Sequence, residues 1–569
     1  MNTGLTIPSS SNGAYTIDGN YELGAYNLFN IGAGTTTITG SVSGDYGFLK
    51  QGAGSLVLKG NNTFGANFAG ISVESGTLRL EGTSTFNGPT SIISGDVVLA
   101  TNAPLGAPGA LGSTFIPVSF GASANFTSID NPARIILDGD QQMAMGITFV
   151  ASEFGKQLGT RNTLFGSRYN GVISFSGISS NNAFFAENTS DIVEFSSNIS
   201  GGSASNTLEI NPNGAAGTVV YSTTAKTYGL TTYVRGGTLQ IESDSSVSGN
   251  VVIEPDASSL TSMLEASGSV GGSVTVGSGG IYAPGQSPGT ASSGNLIFQS
   301  GGALQIEVND SSSAAGTGWD LASVTGSLDI QSSSASPFII DLDSLDQTNL
   351  PGLIFNFSSA LSYTWTIVET TNGISGFSAD KFLIDTSNFQ NPLGAGTFTV
   401  EQSGDNLNLV FTPDASGFNT FLQTNFSSTE LEDPQISGDS ADFDNDGLST
   451  IEEYAYDLNP KLADSSANTP AGSINDTDFG ETGDEFLTVT FTRLLNRTDI
   501  NYRVYAGDSP ANLTTVVAQS MQGGNPVALN DGEINATTPS GNEQEITAAD
   551  NTRVQDAPKR FMEVRIERP

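Results

Sequence analysis

The sequence predicts an all-β chain: a right-handed parallel β-solenoid, then a short acidic linker and a small C-terminal β-sandwich. Three observations carry that prediction. The 569 residues are only 37% hydrophobic and 14% charged, and Gly, Ser, Thr and Asn fill the difference. Val, Ile, Leu, Thr and Phe nevertheless recur in short alternating runs, which disordered chains lack. Beyond Pro413 the composition changes twice, first to an Asp/Glu-rich stretch and then to a segment with most of the late arginines.

The alternating runs come first along the chain. Ser55-Leu56-Val57-Leu58, Thr77-Leu78-Arg79-Leu80 and Asp96-Val97-Val98-Leu99 are followed by Thr238-Leu239-Gln240-Ile241, Asn250-Val251-Val252-Ile253 and Ser273-Val274-Thr275-Val276. Residues 295–298 and 303–306 continue the series. Each run places alternate side chains on opposite faces. One such coil cannot bury its apolar face alone, so the coils must stack, about 4.8 Å apart, around a shared interior. Gly between the runs supplies turns with φ > 0 and lets backbones approach closely.

Within the series, Gly52 to Phe64 and the following Ile71 to Leu80 resemble the passenger-associated transport repeat of bacterial autotransporter passengers. Residues 217–241 resemble a second copy, with Tyr228 near the Phe64 position. Tyr282-Ala283-Pro284-Gly285-Gln286-Ser287-Pro288-Gly289-Thr290 resembles the proline-turn coil late in such passengers, and 318–326 the segment after it. The resemblance covers roughly 40–100 and 215–330, with 100–215 more diverged. It implies the passenger fold. Because this sequence carries no outer-membrane barrel segment, it implies no particular secretion route.

The predicted organisation is a parallel β-helix over 1–330, final coils and a C-terminal cap over 331–414, an acidic linker over 415–480 and a β-sandwich over 481–569. Phe338-Ile339-Ile340-Asp341-Leu342, residues 363–368 and residues 407–411 read as strands of the cap, which must protect the solenoid end from edge pairing. The last module carries strands at 486–491, 501–505 and 561–566. It resembles a C-terminal module of secreted proteins from Verrucomicrobia-like bacteria.

A net charge of −39 excludes nucleic acid and anionic membranes as partners. The same acidity supplies oxygen ligands for hard cations. There is no Cys and no His, which removes disulfides, thiol catalysis and the commonest general base. No apolar stretch is long enough to span a bilayer as a helix. Met1-Asn2-Thr3-Gly4 opens without a basic or apolar leader, so the numbering is expected to begin on a mature secreted chain.

The sharpest motif is Asp442-Phe443-Asp444-Asn445-Asp446-Gly447-Leu448-Ser449-Thr450-Ile451-Glu452-Glu453, which fits D-x-[DN]-x-[DN]-G-x5-E in full. Asp442, Asp444 and Asp446 supply monodentate oxygens, Gly447 the sharp turn and Leu448 a backbone carbonyl. Thr450 occupies the position often bridged by water, and Glu453 closes the site from a short helix. The expected cofactor is Ca2+, stiffening a joint, because neutralising clustered carboxylates removes their repulsion. The motif resembles the calcium-binding hinge repeat between domains of secreted bacterial proteins.

Other constellations carry less. Asp138 with Asp140, and Asp341 with Asp343, share strand faces and could serve glycoside or lyase chemistry. Outward solubilising charge, with few basic residues nearby, is the simpler reading. Gly277-Ser278-Gly279-Gly280 lacks the context of a phosphate loop. Tyr221, Tyr228 and Tyr233 read as core or corner packing ahead of a sugar face, and Arg560 as sandwich decoration ahead of a docking cation. The chain is therefore expected to be a non-enzymatic, extracellular or cell-surface bacterial protein. The first expected function is a structural rod, self-associating head-to-tail or bound to surface and matrix components. The alternative is an adhesin for glycans or host surfaces, and the third reading a carboxylate-based polysaccharide-degrading β-helix.

Overall fold

In a computed structural model, the chain is described except at residues 1–4, 8–12, 25–26, 66–68, 122–131, 151–154, 177–181, 260, 395, 415–416, 464–468, 476–484 and 558. The opening Met1-Asn2-Thr3-Gly4 and parts of the acidic linker thus lie outside the described residues. From Leu5 to Asp385 the described residues form a parallel β-solenoid, in which strands from successive coils pair in register.

One inward column shows how the coils stack. Leu56 pairs in register with Leu78, then Val97, Ile135, Leu158 and Phe184. The column continues through Ile210, Val234, Ile253, Val276 and Phe298 to Ile330. All of these side chains are buried. The diverged stretch between 100 and 215 keeps the column unbroken, because a single inward apolar residue per strand suffices for register. A ten-stranded parallel sheet from Gln142–Met143 to Phe382–Asp385 forms another wall. At about 4.8 Å per strand step it spans about 43 Å. Aromatic stacks line the interior, as in Phe29, Phe48, Phe64 and Phe86 with successive ring centroids 5.2, 5.3 and 4.8 Å apart.

The corners depend on glycine columns. A Cβ on Gly60 would collide with the carbonyl of Gly40 one coil away, and a Cβ on Gly82 with that of Gly60. Backbone therefore stacks directly on backbone at this corner.

Three lysines lie inside the solenoid. Lys50, Lys156 and Lys226 are all fully buried. The Lys50 ammonium donates to the carbonyls of Gln51, Gly52 and Ser75 at 2.9–3.0 Å. Lys226 donates to the carbonyls of Ser222 and Thr224 at 2.9 and 3.0 Å. Lys50 and Lys226 thus place their ammonium protons on backbone carbonyls, whereas the Lys156 ammonium is buried without a hydrogen-bond partner. Burial lowers all three pKa values from 10.5 to about 8. Between pH 8 and 10 the unfolded chain keeps these protons and the folded chain releases them, so stability rises with pH across that window. The urea midpoint is expected to increase from pH 7.5 to 9.5, and to increase less in a Lys50→Met, Lys226→Met variant. A flat or falling wild-type midpoint contradicts this.

At Tyr363–Thr370 one edge of the solenoid passes from parallel to antiparallel pairing, while Ile374–Ser375 and Phe382–Asp385 still stack in parallel. The Tyr363–Thr370 strand pairs in parallel with Leu321–Val324 on one side and antiparallel with Asn406–Thr412 on the other. Thr397–Ser403 adds a further antiparallel strand. Phe357, Tyr363, Trp365, Phe389, Phe398 and Phe411 cluster beneath them. Both indoles find acceptors there: Trp319 donates to the Thr366 carbonyl and Trp365 to that of Ser311.

Among the described residues, four short α-helices follow: α1 (Gly417–Asn425), α2 (Ser428–Leu431), α3 (Pro434–Ser437) and α4 (Thr450–Tyr456). Two four-stranded antiparallel sheets then form the C-terminal module. Phe418, Leu422, Phe426, Ile451, Tyr454 and Ala455 of the helical segment share one core with Phe491, Tyr502, Val504 and Val517 of these sheets. The acidic stretch is consequently packed onto the sandwich through α1 and α4.

Candidate metal centre

The loop from 442 to 449 is built to converge. Asn445 and Gly447 both take positive φ, 61° and 96°, which curls the backbone so that Asp442, Asp444 and Asp446 converge. The Asp442 carboxylate accepts from the Asp446 and Gly447 amides at 3.2 and 3.0 Å, and Asp446 accepts from the Leu448 amide at 2.9 Å. One carboxylate oxygen from each of Asp442, Asp444 and Asp446 then lies within 4.8 Å of the others. Partial desolvation, with Asp446 and Asp442 close by, raises the Asp444 pKa. The Oδ2 atoms of Asp444 and Asp446 are buried without a hydrogen-bond partner. An all-oxygen set with two such atoms fits a hard cation better than a hydrogen-bonded turn alone.

The loop runs directly into α4. Ser449 caps the helix, and Glu452 returns its carboxylate to the Ser449 amide at 2.8 Å. Glu452 is thereby committed to the cap, while its neighbour Glu453 is buried at 1% exposure on the inner face. The carboxylates that the structure groups are the three aspartates; Glu453 is not among them. Thr450 is buried, and its hydroxyl donates to the Ala441 carbonyl at 3.0 Å. Leu448 is half-buried, and its amide is held by Asp446. Asp457, in the left-handed region at φ 59°, ends α4 one residue past the motif's helix.

Phe443 anchors the loop from outside. Its ring meets Phe426, just past α1, edge-on at 6.1 Å, and the Lys461 ammonium sits over both rings at 5.4 and 4.9 Å. Lys461 also pairs with Glu430 at 2.7 Å.

The remaining candidates serve the scaffold. Asp138 pairs with Arg79 and Arg161 and accepts from Asn162 at 2.8 Å, bridging coils. The expectation that basic residues are scarce there is corrected: Arg79 lies 59 positions away in sequence, and stacking brings it over. Asp140 accepts three amides, from Leu164, Phe165 and Gly166, at 2.8–3.1 Å. Asp343 accepts from Gln305 and Asn388 at 2.6 and 2.8 Å. Burial, then Asp343 and Asp385, push Asp341 up to about 6. Glu307 and Asp343 face each other in register beside a groove of about 410 Å3 that includes Asn349, Asn388 and Gln390. Tyr221 and Tyr228 are core residues, whereas Tyr233 carries Arg235 on its face at 4.4 Å. Gly280 opens the strand Gly280–Pro284, at a coil corner. Arg560 is bound within its own module, to Asp550 and Asp508 at 2.5 and 2.8 Å.

Sequence reasoning missed the internal lysines and helices α1–α3. Lys50 had a local signal, since it takes an inward position in Phe48-Leu49-Lys50-Gln51. Compared with known proteins, the chain matches no family model, and no curated protein matches it.

Proposed function

We propose that the chain is an extracellular structural protein: a rod-like subunit of a cell surface or matrix, holding calcium in the 442–453 loop. The observation behind this reading is the unbroken apolar column from Leu56 to Ile330. A solenoid of this kind gives length and stiffness through nearest-neighbour packing alone. Its acidic pairs serve as clips between coils, as at Asp138 and Asp140. The three convergent aspartates and their two unpartnered buried oxygens support calcium. The resemblance to autotransporter passengers and to a calcium-binding hinge repeat points the same way. Negative-stain microscopy is expected to show rods, and titration calorimetry one calcium site that is lost in Asp444→Ala, Asp446→Ala. Compact particles would count against the rod, and an absence of calcium heat against the cation. Head-to-tail assembly extends this reading; a monomer in millimolar calcium, without fibres, removes that extension.

An adhesive role is the second reading. Leu164 and Phe165 are 85% and 89% exposed on a turn that Asp140 holds by its three amides. Fixed apolar side chains in solvent favour docking to another surface. A Leu164→Ser, Phe165→Ser variant should keep its rod length and lose retention on cells or matrix. Unchanged retention argues against adhesion through this turn.

A further inference from the structure

We propose that cation binding at the 442–446 loop controls how firmly the C-terminal module is docked on the solenoid cap, with α4 as the shared piece. The proposal rests on the calcium reading above and concerns what the bound ion does to the rest of the chain.

The contacts run in one continuous path. The loop ends in the cap of α4, and the Ile451 amide donates back to the Asp439 carbonyl at 3.1 Å. Helix α4 is then tied into the sandwich at its other end. The Tyr454 hydroxyl donates to Asp499 at 2.7 Å, and the Tyr502 hydroxyl donates to the Ala455 carbonyl at 2.9 Å. Arg497 donates to the Tyr454 carbonyl at 2.9 Å, pairs with Asp457 at 2.8 Å and covers the Tyr454 ring at 4.0 Å.

Tyr454 also packs against Phe418 and Phe421 of α1, at 5.2 and 5.4 Å. Helix α1 in turn grips the solenoid cap: Gln423 donates to the Ala360 carbonyl at 2.7 Å, and Ala360 belongs to the same core as Tyr454. Arg568, from the end of the last strand, reaches Asp439 at 3.6 Å and lies over Phe418 at 5.2 Å.

Helix α4 has only seven residues, too few to be stable alone. Its order must come from its two flanks, the loop on one side and the sandwich on the other. Three converging aspartates destabilise the first flank until a cation offsets their repulsion. Loop occupancy therefore sets the population in which α4 and α1 are both seated.

Hydrogen exchange on the full chain, with calcium chloride or with a chelator, tests this. At a calcium concentration about 100-fold above Kd, linkage predicts exchange slowed by up to about 100-fold in α4, α1 and strand 501–507. Solenoid strands 77–80 and 95–99 should exchange alike in both conditions. Calorimetry on the same sample reports binding independently. If calcium binds and α1 and strand 501–507 are unaffected, the coupling is wrong and the calcium reading stands. If calcium does not bind, both fall. A Tyr454→Phe variant, which keeps the ring and drops the bond to Asp499, should bind calcium within a few-fold of wild type and transmit less protection to strand 501–507. Equal protection in that variant overturns the assigned path.

Discussion

Leu239→Asp is expected to cost about 5 kcal/mol or more and to break the solenoid's cooperative unfolding into two transitions. Leu239 is fully buried, with Val219 and Leu264 in register on either side. The substitution removes a packed side chain and places a carboxyl within the buried apolar core. In a stacked array each coil touches only its neighbours, so a fault of this size uncouples the coils before it from those after it. Calorimetry or urea melts followed by the two tryptophans would show it, since Trp319 and Trp365 both report on the C-terminal side. The control is Thr238→Asp on the outer face of the same strand, where a shift within about 0.5 kcal/mol is expected. Equal effects at both positions would falsify the inward assignment of Leu239.

Arg560→Ala is expected to destabilise the C-terminal module by about 3–5 kcal/mol. The Asp550 side chain is fully buried, and Arg560 meets both of its oxygens, at 2.5 and 2.6 Å. Those hydrogen bonds raise the Arg560 pKa, so the cation persists at any accessible pH. Truncating the arginine strands a buried carboxylate, which is the costly half of breaking such a pair. The double variant Arg560→Ala, Asp550→Ala should recover part of the loss. If single and double variants melt together, the pair contributes no coupling.

The alternating runs made the solenoid legible, because a period of two with Gly between runs has few other solutions. Thr77-Leu78-Arg79-Leu80 and Thr238-Leu239-Gln240-Ile241 became strands whose leucines and isoleucine point inward. The diverged stretch was harder: in Lys156–Arg161 the apolar pattern reduces to Leu158 flanked by a buried lysine, glycine and threonine. Only stacking shows that Leu158 sits between Ile135 and Phe184. The aspartate loop was legible for a different reason, since its ligands come from one short segment and its spacing is its geometry.

The period, the all-β class and the convergence of Asp442, Asp444 and Asp446 were readable along the chain, because each depends on contacts within a few residues. Tertiary structure decided the rest. It brought Arg79 to Asp138 across 59 positions, buried lysines against corner carbonyls, and set α4 between the aspartate loop and the sandwich. Those outcomes depend on which coil or sheet lies next to which, and no local pattern of a few residues displays such long-range pairings.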